Sequence, residues 1–334
     1  MSAGRVDRDI RISLYLYMSQ RTETFRALAD TTRLRILTLL RRMELSVGEL
    51  ALVLGQSQPR VSRHIRILID ARLATRRKEG SWVFLSPGDP KRLEPLFAML
   101  DRWAEADGED STAEADRTRL AAVRADRAAA AERYFARHAA QWDELRSLHV
   151  GESEVEQAIC RALEGRPLGR LLDIGTGTGR MIALLGGQAQ QALGIDRSVE
   201  MLRVARENLA RTAIVAEFRQ GDMYALPLPD DSADTIVLHQ VLHYAQQPPG
   251  AIAEAARVLA PGGRLLIVDF APHEREELRD RDAHARLGFA DEVMLDWLDA
   301  AGLTGRVAEH LAGGELTVTL WIAEKKASRL KAVA

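Results

Sequence analysis

The sequence predicts two domains, a mainly helical first domain with a β-hairpin and a second domain built on an open, mostly parallel α/β sheet. The 334 residues exceed what one ordinary hydrophobic core serves and suit about two domains of roughly 100–200 residues each. Hydrophobic residues make up 46% and charged residues 28% of the chain, which is a globular composition. In the second half, short apolar runs alternate with helical patterns, as is typical of a parallel sheet with crossover helices.

Composition also excludes several classes of protein. The single cysteine, Cys160, cannot form an internal disulfide or a cluster of several thiolates. No apolar run approaches the roughly 20 residues that a membrane helix needs, and the start of the chain shows no signal-peptide pattern. We therefore expect a soluble cytoplasmic protein without a membrane partner.

Charge is unevenly distributed, although the formal net charge is only −2. Residues 1–107 contain 19 Lys and Arg against 13 Asp and Glu, and the rest of the chain contains 27 against 35. A basic first third joined to an acidic remainder suggests that the first domain meets a polyanion. An excess of this size fits an ordinary solvated surface equally well, so charge alone leaves both interpretations open.

Local signals predict where the first helices of this domain begin and end. Asp30 offers an N-cap before the amphipathic run Arg33–Leu40, which should form the first helix. Ser46 and Glu49 have the spacing of a capping box and should open a second helix. Gly55 should end that helix, because glycine is favoured just past a helix C-terminus.

A third predicted helix starts at Ser57 as N-cap and carries Pro59 in its first turn, where proline is tolerated. Val61, Ile65 and Leu68 recur at helical spacing and should face the core. Its outward and flanking residues are then polar or basic: Arg60, Ser62, Arg63 and Arg66. Two helices joined by a glycine-containing turn, the second of them basic, describe a helix-turn-helix whose second helix enters the DNA major groove.

The segment Thr75–Leu85 has strand-turn-strand character around Glu79 and Gly80. Arg76, Arg77 and Lys78 on its first strand suit contacts with phosphates or with the minor groove. A run of arginines is most often only a solvated face. The order of capped helix, turn, basic helix and basic hairpin nevertheless favours DNA binding.

Phe25–Leu37 and Gln58–Leu68 together resemble the ArsR/SmtB family of winged helix-turn-helix regulators, over about residues 22–105. The resemblance implies a homodimer that binds a palindromic operator in double-stranded DNA. The base and phosphate readers that it implies are Gln58, Arg60, Ser62, Arg63 and His64.

The sequence departs from this family at the sensor. The metal-sensing members carry Cys pairs or His/Asp clusters, whereas Leu45–Leu54 contains no Cys and Lys91–Asp107 contains neither His nor Cys. Because such ions need those ligands, we expect no metal site, and something other than a metal must provide the signal.

The second domain contains six apolar runs that are predicted strands. They are Arg170–Ile174, Gln191–Ile195, Ala213–Phe218, Thr235–Leu238, Arg264–Phe270 and Leu316–Ala323. The first strand runs into the glycine-rich turn Gly175–Gly179, whose glycines permit positive φ and close approach of backbone amides to a ligand. The spacing is G-x-G-x-G and not the G-x-G-x-x-G of dinucleotide-binding proteins.

Three acids lie at or near the ends of successive strands, and each has a chemical reason. Asp196 is placed to accept hydrogen bonds from two ribose hydroxyls. Asp222, with Met223 beside it, suits an adenine. Asp173 beside the glycines suits an ammonium better than a phosphate, which it would repel. Surface acids that cap helices would explain any one of them, but three in register favour a cationic nucleoside, S-adenosylmethionine.

This pattern resembles the class I S-adenosylmethionine-dependent methyltransferases, whose fold is Rossmann-like with a mostly parallel seven-stranded sheet, over about residues 134–325. Asp222–Asp234 and Arg257–Leu265 match the small-molecule branch, which includes ubiquinone-biosynthesis C-methyltransferases. The cofactor-binding residues that the resemblance implies are Asp173, Gly175, Thr176, Gly177, Gly179, Asp196, Arg197, Met201, Asp222, Met223 and His239. The helix before such domains often lids the cofactor, which makes Tyr134, Phe135 and Trp142 candidate lid residues, with core packing as the alternative.

His239 and His243 are the catalytic candidates, because an imidazole can act as a base near neutral pH. A purely structural role remains the alternative for either histidine.

Two functional hypotheses follow from the sequence. In the first, the protein is a DNA-binding regulator whose second domain methylates a small molecule, with or without gating of DNA binding by S-adenosylmethionine or S-adenosylhomocysteine. In the second, the protein is a non-catalytic sensor of these ligands that regulates methionine metabolism. The predicted organisation is a DNA-binding domain over 1–107, a helical connector over 108–150 and a methyltransferase domain over 151–334.

Overall fold

The computed structural model describes residues 21–79, 82–107, 111–139, 151–312 and 315–327. The chain divides into two compact units, the first ending at Arg127 and the second beginning at Ala128. Among the described residues, no helix has both the length and the apolar character needed to cross a membrane.

The first unit is mainly helical. A short helix occupies residues 21–28, and five longer ones follow: α1 (Thr31–Arg42), α2 (Val47–Leu54), α3 (Gln58–Asp70), α4 (Pro90–Asp107) and α5 (Ser111–His138). The boundary between the two compact units falls inside α5. Val61, Ile65 and Leu68 are buried in the core of this unit, as their spacing predicts.

The predicted helix ends are confirmed at three places and wrong in detail at one. The Asp30 carboxylate accepts the Arg33 amide at 3.1 Å, the capping box of Ser46 and Glu49 is complete, and Gly55 adopts φ of +64°. Ser57 precedes α3, but its side chain makes no capping hydrogen bond. Pro59 has no N–H to donate, and the amide of Arg60, the other usual partner of an N-cap side chain, donates to the Ser57 carbonyl instead, at 3.1 Å.

A small antiparallel sheet completes the first unit, with strand order β1-β3-β2. Its strands are β1 (Leu45–Ser46), β2 (Ala74–Glu79) and β3 (Trp82–Pro87). Strands β2 and β3 form the predicted hairpin, in which Arg77 is paired with Phe84. The winged helix-turn-helix architecture predicted from the sequence is therefore present.

The second unit is a seven-stranded sheet in the order β6-β5-β4-β7-β8-β10-β9. The strands are β4 (Arg170–Ile174), β5 (Gln191–Asp196), β6 (Glu217–Gln220), β7 (Ala233–His239), β8 (Leu259–Phe270), β9 (Leu303–Leu311) and β10 (Val318–Lys325). All neighbouring pairs are parallel except those of β10, which is antiparallel to β8 and β9. The helices are α6 (Glu152–Leu163), α7 (Arg180–Leu185), α8 (Val199–Leu209), α9 (Pro248–Val258), α10 (Glu277–Arg281) and α11 (Asp291–Ala300).

Consecutive strand residues belong to two separate cores, one on each face of this sheet. Leu171 and Val237 lie in one cluster, whereas Leu172 and Ile236 lie in the other. Burial on both faces is typical of a mostly parallel sheet. Strand β4 lies between β5 and β7, so the strand order reverses at β4 and β7, and ligands of such folds bind outside the carboxyl ends of the strands at that point.

The sequence prediction misplaced one strand and missed another. The apolar run Ala213–Phe218 was the predicted third strand, but β6 comprises Glu217–Gln220. The Thr212 hydroxyl accepts the Ile214 amide at 3.2 Å, and this local turn competes with the ladder. Strand β9 was not predicted, because only its two end residues, Leu303 and Leu311, are buried, and few large apolar side chains lie between them.

Candidate functional site

The recognition helix α3 presents most of its predicted DNA-reading residues to solvent. Gln58, Arg60, Ser62, Arg63 and Arg66 are all exposed. Exposed arginines can hold guanine edges or phosphates, and short polar side chains can contact either. The helix therefore offers a polar and basic face opposite its buried one.

His64 differs from these residues, because it is half-buried. Its Nδ1 lies 3.5 Å from Oδ1 of Asp30, the residue that caps α1. His64 therefore lies on the side of the recognition helix that faces the start of α1.

The hairpin of β2 and β3, called the wing below, exposes two of its three basic residues and partly buries the third. Arg76 and Lys78 are exposed. Arg77 lies on the other face of β2, where its guanidinium contacts the Glu44 carboxylate at 2.9 Å and lies over the Phe84 ring, 5.7 Å from the centroid. Arg76 and Lys78 are therefore the wing residues best placed for nucleic acid.

Helix α5 packs against the helix-turn-helix through contacts that the sequence did not reveal. Asp116, nearly fully buried, accepts two hydrogen bonds from the Arg35 guanidinium, both at 2.7 Å. Arg119 of α5 and Arg35 of α1 also donate to the last carbonyls of α2, on Val53 and Leu54. These bonds satisfy carbonyl groups that a helix end leaves without intrahelical partners.

The other end of α2 is held by the same helix. Arg127 donates to both carboxylate oxygens of Glu49, with Nε 2.6 Å from Oε1. Glu49 is also the capping-box residue that accepts the Ser46 amide. Leu120 and Val123 are buried in the core of the first unit, so α5 contributes both apolar and charged contacts to the DNA-binding module.

In the second unit, the glycine-rich turn has the geometry that the sequence predicts. Gly175, Gly177 and Gly179 all have positive φ, of 72°, 53° and 82°. A Cβ atom on Gly175 would lie 2.3 Å from Cγ2 of Val241. Only glycine therefore fits the first position, and the turn brings the loop after β7 against the end of β4.

Asp196 connects the glycine turn with the next helix. Its Oδ2 accepts the Gly177 amide and its Oδ1 accepts the Ser198 amide, both at 2.8 Å. Burial raises the pKa of the Asp196 carboxyl, and the amides of Ser198, Gly177 and Arg197 partly offset this. Each carboxylate oxygen has a second lone pair, so Asp196 can accept further hydrogen bonds from a ligand.

The remaining nucleoside candidates lie near Asp196. The Gly221 amide donates to the Asp196 carbonyl at 3.0 Å, which places the exposed Asp222 beside it in the next strand-end loop. Met223 is half-buried and packs against the core. Met201 is buried at the start of α8, and Arg197 is exposed.

Asp173 is almost fully buried at the end of β4. Its Oδ2 accepts the Thr176 hydroxyl at 2.6 Å. A buried carboxylate beside a turn of close-packed glycines favours a cationic group over a phosphate. The residues of this site therefore fit S-adenosylmethionine. The glycines allow close approach, the acids can accept hydrogen bonds from hydroxyl and amino groups, and the methionines can pack against the adenine.

The catalytic candidates lie at the ends of the neighbouring strands. His239 ends β7 and is half-buried, and His243 follows in a short 3-10 helix, Leu242–Tyr244. The His243 Nδ1 lies 2.8 Å from Oδ1 of Asp269, near the end of β8. Asp269 was not singled out from the sequence, although an acid near the end of an apolar strand is the signal that pointed to Asp173 and Asp196.

Aromatic rings surround His243. The Tyr244 ring lies 4.0 Å and the His284 ring 4.3 Å from it, centroid to centroid. Phe135, a candidate lid residue, meets the Tyr244 ring edge to face at 4.8 Å. Trp142 and the side chain of Tyr134 lie outside the described residues.

Two family models match separate parts of the chain. Residues 30–76 match the model of the bacterial regulatory proteins of the arsR family, and residues 172–267 match a methyltransferase domain. Both resemblances drawn from the sequence are thereby confirmed. The methyltransferase match supports the predicted cofactor, S-adenosylmethionine.

Two curated relatives each match about a third of the chain. A demethylmenaquinone methyltransferase of Thermus thermophilus is 36% identical over 118 residues, which are 35% of this chain and 53% of that protein. A ubiquinone/menaquinone biosynthesis C-methyltransferase of a Marinomonas species is 40% identical over 114 residues, 32% of this chain and 45% of that protein. The chain thus spans about half the length of these relatives.

Among solved structures, a complex of the Haloferax volcanii Trm112 methyltransferase activator with a putative methyltransferase has a chain similar in fold. The TM-score is 0.50 at 21% identity, over 58% of this chain and 97% of that one. The chain therefore joins a regulatory helix-turn-helix of the arsR family, over residues 30–76, to a methyltransferase domain, over residues 172–267.

Proposed function

We propose that this protein is a DNA-binding transcriptional regulator whose second domain binds S-adenosylmethionine and transfers its methyl group to a small-molecule acceptor. The observation that carries the cofactor part is the position of Asp196, which joins the glycine turn to the start of α8. When bound, the cofactor would supply an electrophilic methyl group on a sulfonium. The names of the relatives make a quinone-like acceptor one candidate.

The chain's own residues would orient this ligand. Asp196 would accept the ribose hydroxyls, and Asp222 the exocyclic amine of the adenine. Asp173 lies beside the glycines, where the amino group of the methionine part would be placed. Methyl transfer depends above all on alignment, and three carboxylates at successive strand ends would define the orientation of a long ligand.

Calorimetry tests the cofactor proposal directly. The full chain is titrated with S-adenosylmethionine and, separately, with S-adenosylhomocysteine. We expect heat from both ligands, and about 10- to 100-fold weaker binding in Asp196→Asn, because hydrogen bonds to a charged group are worth about 1.5–3 kcal/mol. The matched control is Asp299→Asn, an exposed aspartate of α11. Absence of heat from both ligands contradicts the proposal.

A second part of the proposal is that these ligands gate DNA binding. Helix α5 supports it, because its residues up to Arg127 belong to the first unit and those from Ala128 onward to the second. Within the first unit, Asp116 holds Arg35 of α1, and Arg119 and Arg127 hold α2. Within the second unit, Phe135 contacts Tyr244. Gating requires only that a ligand bind the DNA-competent and DNA-incompetent states with different affinity.

The gating proposal is tested by DNA titration. Binding to the DNA upstream of the protein's own gene is measured without ligand, with S-adenosylmethionine and with S-adenosylhomocysteine. We expect a 5- to 150-fold change in affinity, roughly the range of ordinary allosteric coupling, and binding of a dimer to a palindromic site. Equal affinity in all three conditions contradicts gating. A change in affinity without methyl transfer to any acceptor would identify a sensor that does not catalyse.

A further inference from the structure

A buried histidine–aspartate pair lies at the carboxyl ends of β7 and β8. His243 is 2% and Asp269 0% exposed, and the His243 Nδ1 is 2.8 Å from Oδ1 of Asp269. Asp269 also accepts the backbone amides of His243 at 3.2 Å and of Phe270 at 2.8 Å. The carboxylate is thus held by the backbone and in turn fixes the imidazole.

This contact determines the tautomer of the ring. An ionised carboxylate only accepts hydrogen bonds, so the Nδ1 of His243 carries the proton. The Nε2 then keeps its lone pair and can accept a proton. If it does, the resulting imidazolium is stabilised by the buried charge of Asp269, as in the histidine–aspartate pairs of hydrolases.

The pair lies next to the glycine turn proposed to bind the methionine part of the cofactor. Val241, two residues before His243, packs so closely against Gly175 that a Cβ there would overlap it. The Gln240 amide donates to the Val268 carbonyl at 2.7 Å, which holds this loop to the end of β8. His243 and Asp269 therefore lie beside the cofactor end of the site, on the β7–β8 side where a methyl acceptor would bind.

Planar side chains form the surroundings of the pair. The rings of Tyr244, His284 and Phe270 lie 4.0, 4.3 and 4.9 Å from the His243 ring. Phe270 and His284 are stacked, with an interplanar angle of 15°. Aromatic pairs with centroids 4.5–7 Å apart attract one another, and a planar aromatic acceptor would find the same interaction here.

His273 adds a hydrogen-bond donor to this cluster. Its Nδ1 accepts the Arg275 amide at 3.2 Å, so its proton lies on Nε2, a buried atom without a hydrogen-bond partner among the described residues. Burial, with the neighbouring His243 as a smaller cause, lowers the pKa of His273 to about 4. The ring is therefore neutral near pH 7 and has one N–H to offer an oxygen atom.

We propose that His243, positioned by Asp269, is the general base for an aromatic acceptor that carries an ionisable hydroxyl group, such as a phenol, catechol or hydroquinone. This inference rests on the proposed cofactor binding. The acceptor oxygen forms the new bond to the methyl carbon, and its proton passes to Nε2 of His243. The electron pair of the broken carbon–sulfur bond stays on sulfur, so the sulfonium becomes a neutral thioether and the imidazole an imidazolium.

The chemistry of the acceptor explains why a base is needed. An aromatic hydroxyl is mostly protonated near pH 7 and becomes a strong nucleophile only as its proton leaves, whereas an aromatic thiol ionises readily without help. General-base catalysis contributes about 10²–10⁴-fold to such steps. A thiol acceptor should therefore depend far less on His243 and Asp269 than a hydroxyl acceptor.

The experiment measures transfer of labelled methyl groups by the full chain to catechol, 1,4-naphthohydroquinone and thiophenol. We expect methylation of at least one hydroxylated ring, with a loss of about 100-fold or more in His243→Ala and a smaller loss in Asp269→Asn. Thiophenol methylation should change less than 10-fold in either variant. Free imidazole should partly restore the His243→Ala rate with the hydroxylated ring.

The pH profile separates a base from a structural residue. Among the residues that the structure describes, the titratable side chains near His243 are Asp269, Tyr244, His284 and His273. With the hydroxylated ring, the low-pH limb of the rate should lie at lower pH in Asp269→Asn than in the wild type, because an imidazolium at position 243 loses its counter-charge in that variant. A merely structural role would change the rate without moving the limb.

Calorimetry with S-adenosylmethionine keeps the two proposals distinct. If the wild type gives no heat, the proposed cofactor function fails. If it binds the cofactor but methylates neither hydroxylated ring, or if His243→Ala binds the cofactor normally and keeps its rate, the base assignment is overturned. His243→Gln serves as a second variant that preserves the side-chain volume more closely, and normal cofactor binding verifies its fold.

Discussion

Arg127 and Glu49 are 78 residues apart in the chain, yet they form a two-pronged ion pair inside the first compact unit. Glu49 simultaneously completes the capping box at the start of α2. The first helix of the helix-turn-helix is thus capped by a carboxylate whose charge is balanced from α5. Helix α5 therefore belongs structurally to the DNA-binding module at least as far as Arg127.

The first prediction concerns this pair. Arg127→Ala should lower the free energy of unfolding of the first unit by about 1–3 kcal/mol, since removing one partner leaves a partly buried charge uncompensated. Glu49→Gln should keep the capping box, where glutamine is also accepted, and lose only the pair. Denaturant unfolding of both variants and of the double variant measures the coupling, which we expect to exceed about 0.5 kcal/mol. Arg137→Ala, an exposed arginine of the same helix, should leave stability unchanged, and strictly additive effects would contradict the coupling.

The second prediction concerns Asp116. Asp116→Asn should lower the free energy of unfolding by about 2–4 kcal/mol, because the partly buried guanidinium of Arg35 loses its carboxylate partner. Asp126→Asn, at an exposed aspartate of the same helix, is the matched control. Thermal or urea unfolding of the full chain provides the measurement. Equal stability of the two variants would show that α5 does not hold the helix-turn-helix.

The third prediction separates base reading from phosphate binding. Arg63→Ala should weaken binding to the specific DNA by about 1–3 kcal/mol and relax its sequence preference. Arg76→Ala should weaken binding to all sequences similarly and reduce the salt slope by about one. Fluorescence anisotropy over a series of salt concentrations measures both effects. Arg102→Ala, at an exposed arginine of α4, should bind DNA like the wild type, and a matching loss there would indicate non-specific attraction only.

The fourth prediction follows from the raised pKa of Asp196. Its carboxyl takes up a proton at a higher pH than an ordinary aspartate, and the protonated form is a weaker acceptor for ribose hydroxyls. Affinity for S-adenosylmethionine should therefore fall as the pH is lowered from 7 toward the raised pKa. Calorimetry at several pH values measures this, with Asp196→Asn as the reference, because asparagine has no proton to gain. Parallel pH profiles for the two proteins would contradict the assignment.

Local signals explain what the sequence could predict. The caps at Asp30 and Ser46 and the φ of Gly55 depend on residues within one turn, so they are readable without a structure. Parallel strand ends with their acids follow from apolar runs and glycines. The boundaries of β6 were wrong, because the Thr212 hydroxyl competes for a backbone amide in a way that hydrophobic pattern does not register.

Long-range pairs explain what could not be predicted. Arg127 and Arg119 are two of many arginines in α5, and nothing in their local sequence distinguishes them from solvated ones. The same holds for His243 and Asp269, 26 residues apart. Only the fold shows which charged side chains form pairs. Asp269 itself, however, could have been recognised in the sequence, because like Asp196 it lies near the end of an apolar strand.

The last prediction concerns the pH dependence of stability. The pKa of His273 is about 4 in the folded chain against an ordinary value of 6.5, so between these values the unfolded chain binds a proton that the folded chain does not. Stability is therefore full above about pH 6.5 and falls as the pH drops toward 4. A shift of this size corresponds to about 3 kcal/mol at 1.36 kcal/mol per pKa unit, and screening of a half-buried group should reduce it to about 1–2 kcal/mol. Because pH 5 lies inside this interval, denaturant unfolding at pH 7 and pH 5 should show roughly half of this loss in the wild type and less in His273→Asn, whose side-chain oxygen can still accept the Arg275 amide. Equal losses in both proteins would mean that another group controls the acid sensitivity.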